Sequence, residues 1–469
     1  MTRKSWVARI AGFGLVVAGI AALVRRTPSG VPAPSVPVPE NPLWTGTTKP
    51  APVPEENVVL SLPKDMYRHA GAPTEWWWHI GTLRAGDRVF GFDINAASFN
   101  GSHFAMSQIS LSDVEGGRHY ERTQVYGPKP FGFFDVDTWA EGDPSQPWYA
   151  GLGDPRWLVG GFSVTDTGSG YTEAPSVHIE GDGTGASAIA ILDDKGGVTQ
   201  LILLKPGSGY TTTPAVTLVG GGGSGATAVA VRHSVVMTAP QADPTRDISV
   251  TAVLQDAKTL DEVEFDLTLS QQGRPMFVFG TGVEPSATTQ SLEKDNYYFS
   301  LTRLKASGTI TFGGETFSVT GTTWMDHEYG FFGGNSADTR VRWLLQDIQL
   351  DNGYTLSTAG MIGEGYTPEI GVSVDAFATI QEPSGDTFYV ASTITPVGEL
   401  WTSPSTGNSY AQQFRVEIPS FDADILVTTR LQDQEFSASG APIYEGTAEP
   451  TGTFLGDDVA GDAWIEQAY

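Results

Sequence analysis

Two stretches carry the residues whose types and spacing could do chemistry. The first is Glu75-Trp76-Trp77-Trp78-His79-Ile80-Gly81-Thr82-Leu83; the second is Gly321-Thr322-Thr323-Trp324-Met325-Asp326-His327-Glu328-Tyr329-Gly330-Phe331-Phe332. On a β-strand, alternate side chains share a face. Trp76 and Trp78 then point one way, and Trp77 and His79 the other. Trp324, Asp326 and Glu328 share one face; Met325, His327 and Tyr329 share the opposite one. Either way, ionisable groups are seated among large aromatic rings. A carboxyl group desolvated in that manner keeps its proton near neutrality and is fit to act as a general acid. Two plainer roles stay open. A Trp-rich strand serves well as core packing, and Asp326 could be a buried carboxylate that ties two strands by hydrogen bonds. Asp326-His327-Glu328 makes a poor metal site, because alternation sends His327 away from both carboxylates and no second His stands at ligand spacing. No metal and no cofactor are expected.

Strands must position these residues, and the sequence supplies them. From Asn57 on, helix signals are scarce and alternation dominates, as in Arg88–Asp93, Glu262–Leu269, Thr309–Val319 and Ala423–Thr429. Turns such as Gly313-Gly314, Asp351-Asn352-Gly353 and Ser384-Gly385 punctuate the strands at short spacing. The 56 Gly, 30 Pro and 12 Trp among 469 residues fit an all-β, turn-rich chain rather than a helical bundle or a doubly wound fold. This is the pattern of antiparallel sheets closed into barrels or sandwiches. A repeat interrupts it: Gly168-Ser169-Gly170-Tyr171-Thr172 recurs as Gly207-Ser208-Gly209-Tyr210-Thr211, an offset of 39 residues that slips to 40 in the glycine stretch. We read 160–233 as a two-unit β insertion, since two small units can bury a shared face. Its Gly220–Gly225 run is no phosphate loop, because a strand and not a helix follows it.

Charge and missing residue types exclude further classes. Asp+Glu total 54 against Lys+Arg 27, for a formal charge of −27. Such a chain would repel a nucleic-acid backbone, so no nucleic-acid partner is expected. With no Cys, disulfides, thiolate-bound zinc and thiol catalysis are excluded. Ser61-Leu62-Pro63-Lys64 and Ser291-Leu292-Glu293-Lys294 match Ser-x-x-Lys by chance, lacking companion motifs and a helix, and no Gly-x-Ser-x-Gly elbow occurs. Asn100-Gly101-Ser102 is a glycosylation sequon. At the N-terminus, basic residues flank an apolar run from Ile10 to Val24. Residues 1–26 are therefore read as an export signal or uncleaved membrane anchor, with the body outside the cytoplasm: periplasmic, extracellular or anchored. Residues 27–56 read as an extended Pro-rich tether.

The two aromatic–acidic blocks resemble a family: the carotenoid 1,2-hydratase (hydroxyneurosporene synthase) and AttH-like proteins, with kievitone hydratase and decalin-forming Diels–Alderases as more distant relatives. The likeness continues through Asn296–Ser300, Arg342–Leu350, Trp401–Pro404, Ile418-Pro419, Tyr444–Gly446 and Gly461–Glu466. It departs at the insertion and at Tyr329-Gly330, where the family pattern leads to Trp-Gly. The resemblance implies two tandem lipocalin-like β domains, here 57–295 (interrupted by 160–233) and 296–469, with a hydrophobic pocket in or between them. It further implies a hydrophobic polyene, terpenoid or polyketide substrate and acid-assisted hydration, isomerisation or cyclisation in a β-barrel pocket. Asp326 would be the acid, with His327 or His79 positioning water or tuning it. Glu75, Trp76, Trp78, Tyr298, Trp324, Glu328 and Trp343 would meet the substrate. A non-catalytic carrier of a hydrophobic ligand and an envelope adhesion protein are the competing readings. The oligomeric state is not legible.

Overall fold

The computed structural model describes residues 36–69, 71–99, 104–126, 147–239, 243–332, 341–436 and 442–468. The run read as a signal or anchor and the Asn100 sequon lie outside the described residues. No helix among the described residues is long and apolar enough to cross a membrane.

The protein is all-β and lipocalin-like. Its first part begins with β1 (Thr74–Ala85), β2 (Arg88–Phe99), β3 (Phe104–Asp113), β4 (Arg118–Tyr126) and β5 (Trp148–Leu152). The insertion supplies β6 (Gly161–Asp166), β7 (Ser176–Glu180), β8 (Thr184–Leu192), β9 (Val198–Ser208), β10 (Ala215–Val219) and β11 (Thr227–Val231). Then follow β12 (His233–Ala239), β13 (Asp247–Gln255), β14 (Glu262–Gln271), β15 (Met276–Phe277), β16 (Asn296–Phe312) and β17 (Glu315–Gly330). These pair into one long sheet in the order β10-β7-β8-β9-β4-β3-β2-β1-β17-β16-β14-β13-β12-β5, with β15 beside β16. The sheet curls so that β12 and β13 pack over β2 to β4 and enclose one apolar core.

The second part comprises β18 (Trp343–Leu350), β19 (Thr355–Met361), β20 (Val374–Gln381), β21 (Thr387–Thr402), β22 (Ser409–Ile418), β23 (Ala423–Thr429), β24 (Glu435–Phe436), β25 (Ile443–Phe454) and β26 (Asp457–Ala468). Each long strand pairs with the next, β26 returns to β18, and β23 pairs with β25 across the short β24, closing a barrel around its own core. Closure leaves no free edge in this barrel.

Two expectations are corrected. The division does not fall at 295/296. The strand carrying Asp326, β17, lies between β1 and β16 in the first sheet, so the parts separate between Gly330 and Trp343. Residues 36–56 are also not a free tether. The Val38 N–H donates to the Thr288 carbonyl in the first part, while Trp44 exchanges backbone hydrogen bonds with Tyr389 and Ala391 of the barrel. Lys49 pairs with Glu382 at 2.7 Å, its ammonium 4.7 Å from the Phe388 ring centroid. The segment straps both parts together because its proline-spaced backbone is already extended and loses little entropy on docking.

The barrel's outer wall seats on the outer face of β1, β2, β16 and β17. Gly91 makes the approach possible: a Cβ there would stand 2.5 Å from Thr447 Cγ2. The Thr82 and Thr447 hydroxyls bond at 2.8 Å, and Arg84 grips Asp462 with two bonds of 2.9 and 2.6 Å.

In the insertion, the two repeat units exchange their turns. Ser169 bridges to Ser224 of the second unit, and Ser208 pairs with Thr184 of the first. The insertion enters and leaves through the adjacent pair Gly161 and Val231. Replacing 162–230 by a short Gly-Ser linker should therefore lower the melting temperature, because Leu201 and Leu203 leave the core, yet keep the cooperative fold and the interdomain site. A chain that no longer melts cooperatively in circular dichroism would show that the insertion is essential to the sheet.

Candidate functional site

Antiparallel register across four adjacent strands puts Asn95, Trp78, Asp326 and Ser300 side by side. One step along lie Ala97, Trp76, Glu328 and Tyr298; one step the other way lie Asp93, Ile80 and Trp324. All of these point toward the barrel wall. From that wall Trp343 and Asp347 of β18, Trp464 and Glu466 of β26, and Glu445 of β25 face them. The candidate site is thus a seam between sheet and barrel, not the inside of a barrel. The barrel interior is filled by Leu344, Ile348, Phe388, Phe414 and their neighbours.

Carboxyl groups dominate the seam. Ligand atoms of Asp326, Asp347 and Glu466 lie within 4.8 Å of one another, all buried. Ser300 Oγ donates to Asp326 Oδ1 at 2.5 Å and Trp324 Nε1 donates to the same oxygen at 2.7 Å. Burial raises Asp326 to about 6, against the pull of hydrogen bonds from Ser300, Trp324 and Tyr298. Burial raises Glu466 to about 8, opposed by the Trp343 N–H at 2.8 Å and reinforced by the Asp326 charge. Asp347 is pushed well up by burial and by the charges of Asp326 and Glu466. Glu328, which accepts a bond from Asn296, and Glu445, which accepts one from Trp464 Nε1 at 2.8 Å, are raised for the same reasons. Three indoles therefore each hold one carboxyl: Trp324 on Asp326, Trp343 on Glu466, Trp464 on Glu445.

Aromatic rings line the approach. Trp76 stands edge-on to Trp78 at 6.3 Å and to Phe332 at 5.0 Å, and Phe332 reaches Trp343 at 5.6 Å. At the other end, between Ile80, Trp324, Asp347 and Trp464, is a narrow crevice with room for about one water molecule.

The histidines lie elsewhere. His79, His327 and Glu75 point to the opposite face of β1 and β17, into the core of the first sheet. Neither ring nitrogen of His79 has a partner, and burial lowers it to about 3, so it is a neutral core ring. His327 stacks on Trp77 at 4.7 Å, and its Nδ1 lies 2.8 Å from the Trp76 carbonyl, an acceptor only, so Nδ1 carries the hydrogen. Burial, then the charge of His69, holds His327 well below its ordinary value. Burial works against His69, but bonds to Asp65 and Glu75 outweigh it and raise it to about 9. The expected pairing of His327 or His79 with Asp326 is thus corrected: a strand cannot present adjacent residues on one face. Trp76, Trp78, Tyr298, Trp324, Glu328 and Trp343 do share the seam; Glu75 does not.

Asp347, Glu466, Ser300, Asn296, Glu445, Asp93 and Trp464 went unassigned in the sequence. Their signal was present. Trp464-Ile465-Glu466 repeats the spacing of Trp324-Met325-Asp326, and Trp343 and Asp347 also share a strand face. Two groups could reach a common cation: His69, Glu75 and His327, and Asp326, Asp347 and Glu466. The first is joined by a 2.9 Å bond from His69 Nδ1 to Glu75; in the second, hydroxyl and indole donors occupy Asp326 and Glu466 but not Asp347.

Fold and site define a two-part lipocalin-like β protein with a carboxyl cluster in its seam. The chain belongs to the AttH-like family, whose sequence pattern matches residues 222–468. It is similar to dehydratase asqC of Emericella nidulans, 26% identical over 217 residues, a match covering 44% of this chain and 58% of that protein. The chain thus spans less than two thirds of that relative. Among solved structures it is similar to an AttH-type protein of Nitrosomonas europaea, with TM-score 0.54 and 18% identity over 89% of this chain and 99% of that one. It is also similar to kievitone hydratase of Nectria haematococca, with TM-score 0.54 and 14% identity over 91% of this chain and 98% of that one. At such identities the structural likeness is one of fold.

Two outcomes are expected. Above about pH 7.5, where histidines of the unfolded chain have lost their protons, the folded protein still holds protons on Glu466 and His69, so stability falls as pH rises through about 8 to 9. The four histidines lowered by burial bind protons only in the unfolded chain, and above about pH 7.5 those protons are gone as well. Urea melts across this window should show that slope, and Glu466→Gln should flatten it; an unchanged slope would deny Glu466 its raised value. Separately, His79→Leu removes two unpartnered buried nitrogens and should leave the unfolding free energy in urea melts equal or higher, by up to about 1 kcal/mol. A loss of several kcal/mol would mean the ring has a partner.

Proposed function

We propose that the protein is a lyase or isomerase acting on a hydrophobic unsaturated small molecule of the polyene, terpenoid or polyketide kind, by acid-assisted hydration, the reverse dehydration, or cyclisation in the seam. The observation that carries this reading is Asp326: a buried carboxyl raised to about 6, with two donors on one oxygen and aromatic rings around it. The names of the similar proteins, a dehydratase and a hydratase, support the same class of reaction.

The chemistry follows from placement. Asp326 delivers its proton to one alkene carbon, and positive charge develops on the neighbouring carbon. The indoles of Trp78 and Trp324 lie beside Asp326, where a ring face turned to the alkene would stabilise that charge. Water adds to the cation and gives up its proton to the Asp326 carboxylate, which regenerates the acid while Glu466 keeps its own proton. Run backwards, the same groups expel water from an alcohol. In a cyclisation the seam contributes chiefly by restricting the conformations of the chain.

The test is incubation in D2O with isoprenoid alkenes such as geraniol and squalene, with products read by mass spectrometry. Wild type should add D2O across a double bond. Asp326→Asn should lose at least about a hundredfold in rate while binding the alkene within about threefold of wild type. Full turnover by Asp326→Asn would remove the acid from the proposal. A co-purified unsaturated ligand recovered without exchange would favour the carrier.

A further inference from the structure

The seam is more acidic than an acid and a base require. Glu328, Glu445 and Asp93 are buried around Asp326, Asp347 and Glu466. No ion pair between described residues involves any of the six. Asp347 is 2% exposed, and its carboxyl converges on those of Asp326 and Glu466. Ser357 and Asp326 lie near it, yet neither of its oxygens has a hydrogen bond of proper geometry. Both oxygens of the fully buried Asp93 are in the same condition. Buried carboxyls left without partners either keep a proton or take a counter-charge from a ligand. The wall beside them is indole: Trp464 pairs with Asp347 across β26 and β18, and Trp78 sits opposite Asp326. Aromatic rings and unpaired carboxylates are the two means by which proteins hold an onium ion.

We propose that the ligand of this seam carries a positively charged nitrogen beside its apolar body, with the nitrogen seated between Asp347, Glu466 and the indoles of Trp78 and Trp464. This rests on the reading of the seam as the substrate site and names the charge of that substrate. Asp326, with its Oδ1 held by Ser300 and Trp324, stays available as the acid.

The experiment compares benzyltrimethylammonium with its neutral carbon isostere, neopentylbenzene, by tryptophan fluorescence titration of the full chain. The ammonium should bind at least about tenfold more tightly. An acidic exterior attracts any cation weakly, so site variants decide. Asp347→Asn with Glu466→Gln should abolish the preference, whereas Glu399→Gln, exposed on β21, should keep it. Where the double variant lacks the wild-type melt, Asp347→Asn alone should reduce the preference at least about threefold. Equal affinity for the two probes, or a preference that survives these substitutions, overturns the proposal. The outcome is separable from the D2O experiment. Turnover that depends on Asp326 without ammonium preference sinks only this inference, and ammonium preference without turnover sinks only the reaction.

Discussion

Everything distinctive about this protein follows from desolvated carboxyl groups trapped between two β structures. A carboxylate taken from water into an apolar seam costs several kcal/mol unless it is paired or keeps its proton. Here no ion pair among the described residues serves Asp326, Asp347 or Glu466, so the groups keep protons or share them. The indole N–H groups of Trp324, Trp343 and Trp464 soften the penalty without cancelling it, because each donates to one oxygen and leaves the other open. An arginine in place of any of them would form a salt bridge and pull the carboxyl down, and the acid would be lost.

The strand is the device that separates chemistry from scaffold. Along β1 and β17 odd and even positions do different work. One face carries Trp78, Asp326 and Glu328 to the seam. The other carries Trp77, His79 and His327 into the core, where Trp77 and Trp148 both donate to the Met66 carbonyl at 3.0 Å. The His327 bond to the Trp76 carbonyl fixes the backbone of the strand whose next side chain, Trp76, opens the aromatic approach. A residue can therefore be essential to the site's shape while facing away from it.

The sequence made one half of the site legible and hid the other. Alternation in Gly321–Phe332 places Trp324, Asp326 and Glu328 together without any structure, and it also sends His327 away. Two things were not legible. Asp347 and Glu466 come from strands that meet Asp326 only after the barrel has closed, and nothing local in Trp343–Leu350 announces which wall of the barrel will be covered. The boundary at 295/296 failed for a related reason. Pairing partners of β17 are β1, far upstream, and β16, and sequence order does not reveal that β1 and β17 are neighbours. The strap at 36–56 was misread because a Pro-rich composition reports an extended backbone but not whether that backbone is docked.

Placing the acid in a seam, rather than in a closed barrel, ties its strength to how firmly the two parts are held. The raised value of Asp326 exists only while the barrel wall excludes water from it; any widening that admits solvent returns the carboxyl toward its ordinary range. The contacts that prevent widening lie away from the acids: Arg84 and Arg430 on Asp462, Gln349 Nε2 on the Thr302 and Thr323 carbonyls, and the strap with Lys49. These are polar and specific, unlike the two apolar cores, so they fix the register of sheet on barrel rather than merely hold the parts near. That register is what brings Asp347 and Glu466 within 4.8 Å of Asp326. The acidity of the site is in this sense a property of the interface, and no single strand or barrel of the protein possesses it alone.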